Sequence, residues 1–389
     1  MIYFDNNSTT RVLENVADAM RPFLTERFAN PASAIAQFEG IPQAIQAGKK
    51  RLCEALGADD ARQLVITSGA TESNNLALLG AARANQERQH LIVSSIEHPS
   101  VMEVCELLRA EGYRISKLPV NPEGIVDEAA LTGLLSADTL LVSVMLANNE
   151  TGVIQPVGSV AEAVKRYDPS VLIHTDATQA VGKIPINLSG DLAEVDLLSL
   201  SAHKFHGPKG TGALFVRDAD MLVPILHGGG QQDGLRAGTE NPAGLVGMVT
   251  ALTTLLSNSQ ALAEVGKLRD RLESGILAAR PGAVILGARA NRIPTTLNIC
   301  LADIDADELV DRMAARGIAI STGSACSYGA RKPSYVALAH GLPYEQAKSC
   351  IRLSLSIEST EQEVDLFLHE FGDVVGSSAP SLRYTRETA

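Results

Sequence analysis

The chain has 389 residues, more than one hydrophobic core usually serves, and this length predicts two domains. Its 33 Lys and Arg against 45 Asp and Glu give a net charge of −12, which disfavours sequence-independent binding to nucleic acid phosphates. No run approaches the roughly 18 apolar residues that a membrane helix needs. The first residues, Met1 to Asp5, lack the basic and apolar regions of a signal peptide, so we expect a cytoplasmic protein.

Short β-rich runs alternate with segments of helical period through the first part of the chain. The runs lie at residues 64–66, 91–93, 140–145, 171–173, 197–200 and 213–216. This alternation is typical of a mostly parallel sheet covered by helices. The sequence therefore predicts an α/β fold.

A second unit follows. Apolar residues recur at helical spacing from Leu262 to Ile276, and Pro281-Gly282 ends that helix. Thr360 and Glu363 have the spacing of a capping box and predict the start of a last helix. Residues 377–389 are polar and are expected to fray. The other predicted elements of this unit are a strand at 296–301, a helix at 306–316 and a strand at 318–320.

Polar residues concentrate directly after the predicted strands. These segments are 67–75, Glu97-His98, 148–150, 176–179 and 201–204. In open α/β sheets, ligands bind beyond the carboxyl ends of the strands. The pattern therefore predicts a ligand site at this edge of the sheet.

Three of these segments offer anchors of different chemistry. The loop at 67–71 opens a helix whose N–H groups suit a phosphate, although capping by its own hydroxyl groups is an equal alternative. Asp176 ends an apolar strand and needs a donor such as a pyridinium nitrogen, or a neighbouring loop. Lys204 follows another apolar strand, where desolvation favours a nucleophilic amine, although most lysines are solvated. Together they match the phosphate, ring nitrogen and aldehyde carbon of pyridoxal phosphate.

Two other motifs point to different chemistry and are not favoured. His203 and His206 have a spacing seen in metal sites, but Gly207-Pro208 breaks such a helix and no nearby carboxylate or cysteine completes a ligand set. We therefore expect no metal. The run at 227–230 resembles a lipase oxyanion element, yet the chain has no G-x-S-x-G motif.

One of the five cysteines differs from the others. Their odd number and the lack of a C-x-x-C pair disfavour a disulfide framework and a zinc site. Cys326 lies in a small, polar, glycine-rich stretch typical of an exposed, mobile loop, and Arg331 and Lys332 favour its thiolate. The remaining four have apolar neighbours and are predicted to be core residues: Cys53, Cys105, Cys300 and Cys350.

In their order and spacing, the motifs resemble the NifS/IscS-like cysteine desulfurases, a class V aminotransferase group among the fold-type I pyridoxal phosphate enzymes. They lie at 3–10, 30–33, 67–75, 97–98, 148–152, 176–179, 201–204, 236–241, 324–326 and 351–354. The resemblance implies a large domain at 15–258 with a mostly parallel seven-stranded sheet. It also implies a smaller α+β domain, made of 1–14 and 259–376, that carries the catalytic cysteine loop.

The resemblance also implies roles for individual residues. Lys204 resembles the catalytic lysine that bonds to the cofactor, and His98 the catalytic residue that stacks on its ring. Asp176 resembles the partner of the ring nitrogen, and Gln179 the neighbour of the ring oxygen. The other implied residues are Ala70, Thr71, Ser201 and His203 at the phosphate, Thr239 at the phosphate of a second subunit, Asn149 at cofactor and substrate, and Asn30 and Arg352 at the substrate.

The activity that the resemblance implies is conversion of L-cysteine to L-alanine. Cys326 takes the sulfur as a persulfide and passes it to an acceptor protein for iron-sulfur clusters, thiolated tRNA or another product. Thr239 implies a homodimer. A selenocysteine lyase or a class V aminotransferase on the same scaffold is the alternative. A non-catalytic scaffold is a weaker one, because it has no need of Lys204, Asp176, His98 and Cys326 together.

Two departures from the family pattern narrow these expectations. Ala36 stands where the family usually has a histidine after its Asn-Pro-x-Ser motif, so no role carries over to that position. Arg331-Lys332 stands near Cys326, where the family more often has a Thr/Ser-rich stretch ending Leu-Glu-Pro-Ser. This stretch is therefore basic where the family's is acidic, which leaves open whether the sulfur acceptor is the family's usual one.

Overall fold

The computed structural model describes residues 1–323 and 333–376, so Cys326, Arg331, Lys332 and the predicted frayed tail lie outside the described residues. The strands are β1 (Ile2–Tyr3), β2 (Leu64–Thr67), β3 (His90–Ser94), β4 (Arg114–Leu118), β5 (Thr139–Ser143), β6 (Leu172–Asp176), β7 (Leu197–Ser201), β8 (Gly212–Val216), β9 (Val284–Ile285), β10 (Thr296–Cys300), β11 (Ile318–Ala319), β12 (Ser321–Thr322) and β13 (Cys350–Ser354). The helices are α1 (Glu14–Met20), α2 (Pro22–Thr25), α3 (Ala34–Phe38), α4 (Ile41–Leu56), α5 (Ala70–Ala84), α6 (Pro99–Ala110), α7 (Glu128–Leu134), α8 (Val157–Tyr167), α9 (Pro242–Leu256), α10 (Ser259–Ala279), α11 (Ala306–Ala314), α12 (Tyr335–Ala339), α13 (Tyr344–Ala347) and α14 (Glu361–Gly376).

The larger sheet has seven strands in the order β2-β8-β7-β6-β5-β3-β4. Neighbours from β7 to β4 pair in parallel, whereas β8 runs antiparallel to both β7 and β2. The predicted α/β fold with a mostly parallel seven-stranded sheet is confirmed. The apolar runs did not predict β4, because this edge strand is polar and only Leu118 is buried in it.

Two layers of helices cover this sheet, one on each face. Successive strand residues point to opposite faces, so Leu64 and Ile66 join one core cluster and Val65 the other. The first cluster packs under α1, α4, α8 and α9, and the second under α5 and α6. Because both faces are buried, each central strand contains a short apolar run.

A four-stranded antiparallel sheet, β12-β13-β10-β9, and the parallel pair β1-β11 form the smaller unit. The helices α10, α11 and α14 cover its separate core, in which Phe4 contacts Phe367. The predicted capping box is present, since Thr360 N–H donates to Glu363 at 2.9 Å and Glu363 N–H donates to Thr360 at 3.3 Å. Because two cores are separate, we propose the domain boundaries 15–258 and 1–14 with 259–376.

The four cysteines predicted to be core residues are all buried: Cys53, Cys105, Cys300 and Cys350. The apolar helix α9 is also a core element and buries Leu245, Met248 and Leu252. Within the described ranges, no single helix is long and apolar enough to cross a membrane. In the described part of the chain, α9 and α10 taken together reach that length and hydropathy, across a 73° bend.

Candidate active site

The residues that follow the parallel strands meet at one edge of the larger sheet. Asp176 is the last residue of β6, and Ser201 is the last residue of β7. Those two strands are neighbours, with Asp176 beside Ser199 in the register. Lys204 ends a 3₁₀ turn directly after β7. Tertiary structure therefore brings together the carboxylate and the amine that the sequence singled out.

The N-terminus of α5 lies beside Ser201 and has no side-chain cap. Ala70 and Thr71 are its first residues, so their N–H groups have no partner within the helix. Gly69 has φ 151°, and a Cβ there would lie 3.4 Å from Ser201 Oγ. Gly212 of β8 approaches so closely that its own Cβ would lie 2.6 Å from Gly69 Cα. Small residues thus keep the helix N-terminus open, which suits a phosphate.

His203 and Thr239 lie on the segments around this helix N-terminus. His203 Nδ1 contacts Thr9 Oγ1 at 3.1 Å. Burial, together with the nearby charge of Lys204, lowers the pKa of His203 to about 4, so the ring is neutral at pH 7. Thr239 is exposed, on a loop that Arg236 ties to Glu72 of α5 through a 2.7 Å ion pair. This position leaves Thr239 accessible to a second molecule.

The amine of Lys204 is held by the N-terminal segment of the chain. Its Nζ donates to the carbonyl oxygen of Asn7 at 2.6 Å and to that of Ser8 at 2.7 Å. Gln179 Nε2 donates to the same Asn7 oxygen at 3.0 Å. One backbone carbonyl therefore holds the predicted lysine and the predicted neighbour of the ring oxygen side by side.

A hydrogen-bonded chain connects Asp176 to His98. Asp176 is buried and accepts from Asn74 Nδ2 at 2.8 Å and from Thr178 N–H at 2.9 Å. The same Asn74 nitrogen donates to Ser100 Oγ, which lies 2.8 Å from His98 Nδ1. Ser100 N–H also donates to that Nδ1, and burial lowers the pKa of His98. We therefore assign a neutral ring with its proton on Nε2.

Arg352 of β13 lies buried among groups from both domains. Its Nη1 donates to the Asn149 carbonyl at 3.1 Å, and its Nη2 donates to Asp5 at 2.7 Å and to Ser8 Oγ at 2.8 Å. Among the described residues, Arg352 Nε and Asn149 Oδ1 are buried without a hydrogen-bond partner. A free donor and a free acceptor suit a ligand with a carboxylate and an ammonium group.

Other predicted positions are not joined to this cluster by any contact between described residues. Asn30 is exposed, and its side chain accepts from Ala32 N–H at 3.0 Å. Ala36 is fully buried in α3 as part of the core, so the position of the family's histidine is a packing position here. Cys326 itself lies outside the described residues.

Glu150 contacts both described ends of the segment that carries Cys326. On one side, a Cβ on Gly323 would lie 2.6 Å from Glu150 Oε2. On the other side, Ser334 Oγ donates to the same oxygen. Burial raises the pKa of Glu150 to about 7. This carboxyl group therefore lies where the two ends of the segment meet.

Several residues at this site were missed by reasoning from the sequence. They share a polar side chain or carbonyl that contacts a predicted residue: Asp5, Asn7, Ser8, Asn74, Ser100 and Lys183. Asn74 lies in the polar segment at 67–75 that follows β2, although the sequence assigned it no role. For Asn7 and Ser8 a signal was absent, since backbone carbonyls make their contacts.

Glu97 is a fully buried acid next to His98. Its Oε1 accepts from Ser94 Oγ and from Met145 N–H, both at 2.7 Å, while Oε2 is buried without a partner among the described residues. Burial, reinforced by the charge of Asp176, raises the pKa of Glu97 to about 8. Glu97 is therefore mainly protonated at pH 7.

A raised carboxyl pKa makes the fold less stable as pH rises. Between about pH 4.5 and pH 8 the unfolded chain releases this proton and the folded chain keeps it, which removes on the order of 4 kcal/mol. Glu97→Gln keeps the acceptor and cannot ionise, so we expect its unfolding free energy to fall much less over that range. Urea unfolding at both ends of the range measures this. Glu103→Gln, on an exposed position of α6, is the matched control and should behave as the wild type; equal slopes for all three proteins would contradict the prediction.

The groups present fit pyridoxal phosphate. The bare helix N-terminus suits its phosphate, the buried Asp176 its ring nitrogen, and the amine of Lys204 its aldehyde carbon, and all three lie at one sheet edge. The orphaned donor and acceptor of Arg352 and Asn149 lie in the same cluster. This fit rests on the chemistry of the donors that the fold brings together.

Comparisons with known proteins identify the family. The family model "Aminotransferase class-V" matches residues 2–367. Cysteine desulfurase NifS of Azotobacter vinelandii is 41% identical over 375 residues, which cover 96% of this chain and 92% of that protein. Cysteine desulfurase IscS of Dictyoglomus turgidum is 39% identical over 369 residues, with 94% and 92% covered. A solved NifS-like protein superposes with a TM-score of 0.90 at 36% identity, covering 96% of this chain and 99% of that one. The chain therefore belongs to the class V aminotransferase family and, within it, to the cysteine desulfurases.

Proposed function

We propose that this cysteine desulfurase binds pyridoxal phosphate, converts L-cysteine to L-alanine, and passes the sulfur through Cys326 to an acceptor. One observation carries the proposal: a bare helix N-terminus, a buried carboxylate and a lysine amine lie at the same edge of the sheet. These are the three anchors that the cofactor requires.

Each part of the cofactor has a proposed partner. The N–H groups of α5, with Ser201 and His203, hold the phosphate. Asp176 would hold the ring nitrogen, His98 would lie against the ring, and Gln179 would donate to the ring oxygen. When bound, the cofactor supplies an electron sink for the charge that develops at the substrate Cα. Thr239 is proposed to contact the phosphate of a second copy of the chain.

The chain's own residues then bind and orient the substrate. Arg352 Nε donates to the substrate carboxylate, while Asp5 and the Asn149 carbonyl fix the plane of the guanidinium. Asn149 Oδ1 accepts from the substrate amine. Lys204, whose Nζ is held by two carbonyl oxygens, removes the Cα proton. Asn30 is proposed as a further substrate contact on the strength of its motif alone.

Cys326 takes the sulfur in a balanced exchange. Its thiolate attacks the substrate sulfur, so an S–S bond forms while the substrate C–S bond breaks. The electron pair of that C–S bond stays with carbon, which is protonated to give L-alanine. L-cysteine and the enzyme thiol thus become L-alanine and a Cys326 persulfide, and an acceptor thiolate then takes the outer sulfur.

A second copy of the chain is part of the proposal. The segment from α2 to α3 exposes apolar side chains, with Leu24 63%, Phe28 73% and Phe38 92% accessible. Apolar patches of this kind mark interaction sites. They lie on the same segment as Asn30, and together with the exposed Thr239 they support a homodimer.

The proposal is tested by alanine formation from L-cysteine, with mass spectrometry of the peptide that contains Cys326. The wild type should form alanine and carry a persulfide on Cys326. Cys326→Ala should lose both, with alanine formation reduced about a hundredfold, because sulfur then has no thiolate to receive it. Cys53→Ala, which removes a buried core thiol, is the control and should retain both.

The same assay separates the alternatives. A Cys326→Ala protein that forms alanine at the wild-type rate would falsify the sulfur route. Turnover of selenocysteine with none of cysteine would favour a selenocysteine lyase. Amino-group transfer to a keto acid, independent of Cys326, would favour an aminotransferase.

A further inference from the structure

A second lysine, Lys183, lies buried beside the site. It follows β6 in the turn that begins after Asp176, and it is 7% exposed. Its Nζ donates to Gln179 Oε1 at 2.6 Å and to Asn7 Oδ1 at 3.2 Å. Lys204 binds the backbone oxygen of the same Asn7. Two lysines therefore approach one asparagine, and Lys183 also contacts the Gln179 side chain.

These contacts fix which way the Gln179 amide points. Gln179 Oε1 accepts from Lys183 Nζ, so the oxygen of this amide faces the lysine. A carbonyl only accepts, so the Gln179 atom facing Asn7 O is the nitrogen. That nitrogen carries two hydrogens, and Asn7 O uses one of them. The second hydrogen remains for a ligand.

Two hydrogen bonds orient the Gln179 amide, and without Lys183 one of them is lost. Gln179 is itself buried, so its oxygen would be left without a donor, which is unfavourable in the protein interior. Burial, followed by the charges of Lys204 and Arg352, lowers the pKa of Lys183 well below its ordinary value. Burying a lysine amine is unfavourable, so we expect its hydrogen bonds to have a function at this site. The shortest of them is to the Gln179 oxygen.

We propose that Lys183 is a positioning residue that acts through Gln179. By binding the amide oxygen, it turns the amide nitrogen towards the ring oxygen of the bound cofactor and so controls the acidity of the cofactor held at Lys204. This inference rests on the proposed function, because it presupposes that Gln179 lies beside the ring oxygen.

The test is the pH titration of the absorbance of the cofactor bound to the holoenzyme. Lys183→Met keeps the length of the side chain and removes its N–H donors. A donor to the ring oxygen favours the deprotonated form of the bound cofactor, so its loss should raise the titration midpoint. We expect a rise of about one pH unit, which corresponds to one hydrogen bond. Lys183→Leu, which also has no N–H donor, should give the same rise if the methionine variant does not fold.

A double-mutant cycle shows whether Lys183 acts through Gln179. Gln179→Leu should raise the midpoint by itself, and adding Lys183→Met should then have no further effect. The full Lys183→Met shift in the Gln179→Leu background would overturn the proposal, because Lys183 would then act through its own charge. No shift in either background would overturn it as well.

The control variant is Lys165→Met. Lys165 is also largely buried and donates to Asp196 at 2.7 Å, but it lies on α8, away from the site. We expect lower stability and an unchanged midpoint. A wild-type protein that shows no titratable absorbance when loaded would contradict cofactor binding itself. A wild-type absorbance that Lys183→Met leaves unchanged would contradict only the role of Lys183.

Discussion

Lys204→Ala is expected to lower alanine formation from L-cysteine by at least about 10⁴-fold. The substitution removes the amine that we propose bonds to the cofactor and moves the Cα proton, so two functions disappear together. Asn7 and Ser8 hold that amine through their carbonyl oxygens, and no other described side chain has both contacts. Initial rates of alanine formation measure the loss.

Two controls make this result specific. Lys209→Ala removes an exposed lysine five residues further along the chain and should leave the rate unchanged. Borohydride treatment should fix the cofactor covalently to the wild type and to Lys209→Ala, and it should fail to do so in Lys204→Ala. A Lys204→Ala protein within tenfold of the wild-type rate would show that another group moves the proton.

Asp176→Asn is expected to lower the same rate about 10³-fold. Removing one partner of a buried ion pair costs roughly 3–5 kcal/mol, and the proposed partner of Asp176 is the protonated ring nitrogen. The loss should appear in kcat, because a neutral ring is a weaker electron sink during proton removal. The geometry adds to the effect. Asn74 and Thr178 donate to different oxygens of Asp176, so an amide there sets a donor against a donor in either orientation.

Asp196→Asn is the matched control for this prediction. Asp196 is also a buried aspartate with a donor on its carboxylate, since Lys165 lies at 2.7 Å. It precedes β7, whereas Asp176 lies at the carboxyl end of β6. We expect the control to lose stability and keep its kcat. Equal rates for Asp176→Asn and the wild type would remove Asp176 from the mechanism.

The arrangement of strands and helices could be predicted from the sequence because most strands of the larger sheet are buried. Strands of the larger sheet are buried on both faces, so β5 and β7 contain short runs of leucine and valine that identify them in the sequence. The edge strand β4 could not be predicted in this way. β4 pairs with β3 on one side and is partly exposed. Its sequence can therefore be polar and shows no apolar run.

Part of the site could also be predicted from the sequence. Polar residues directly after a buried strand, such as Asp176 and Lys204, must lie at one end of the sheet, so their position in the sequence predicts their position in space. Contacts between distant segments gave no such signal. Asp5 pairs with Arg352 across 347 positions, and Lys204 binds the carbonyl of Asn7 across 197. Nothing periodic connects residues so far apart.

The sequence by itself determined the fold class, the family and the chemical types of the main anchors, because burial patterns and short motifs are local properties of the chain. The tertiary structure alone decided how those anchors are held. It joined Asp176 to His98 through Asn74, and it set Lys183 against Gln179. The physical reason is that a buried polar atom must find its partner wherever the fold places one, and that partner is chosen by packing in three dimensions.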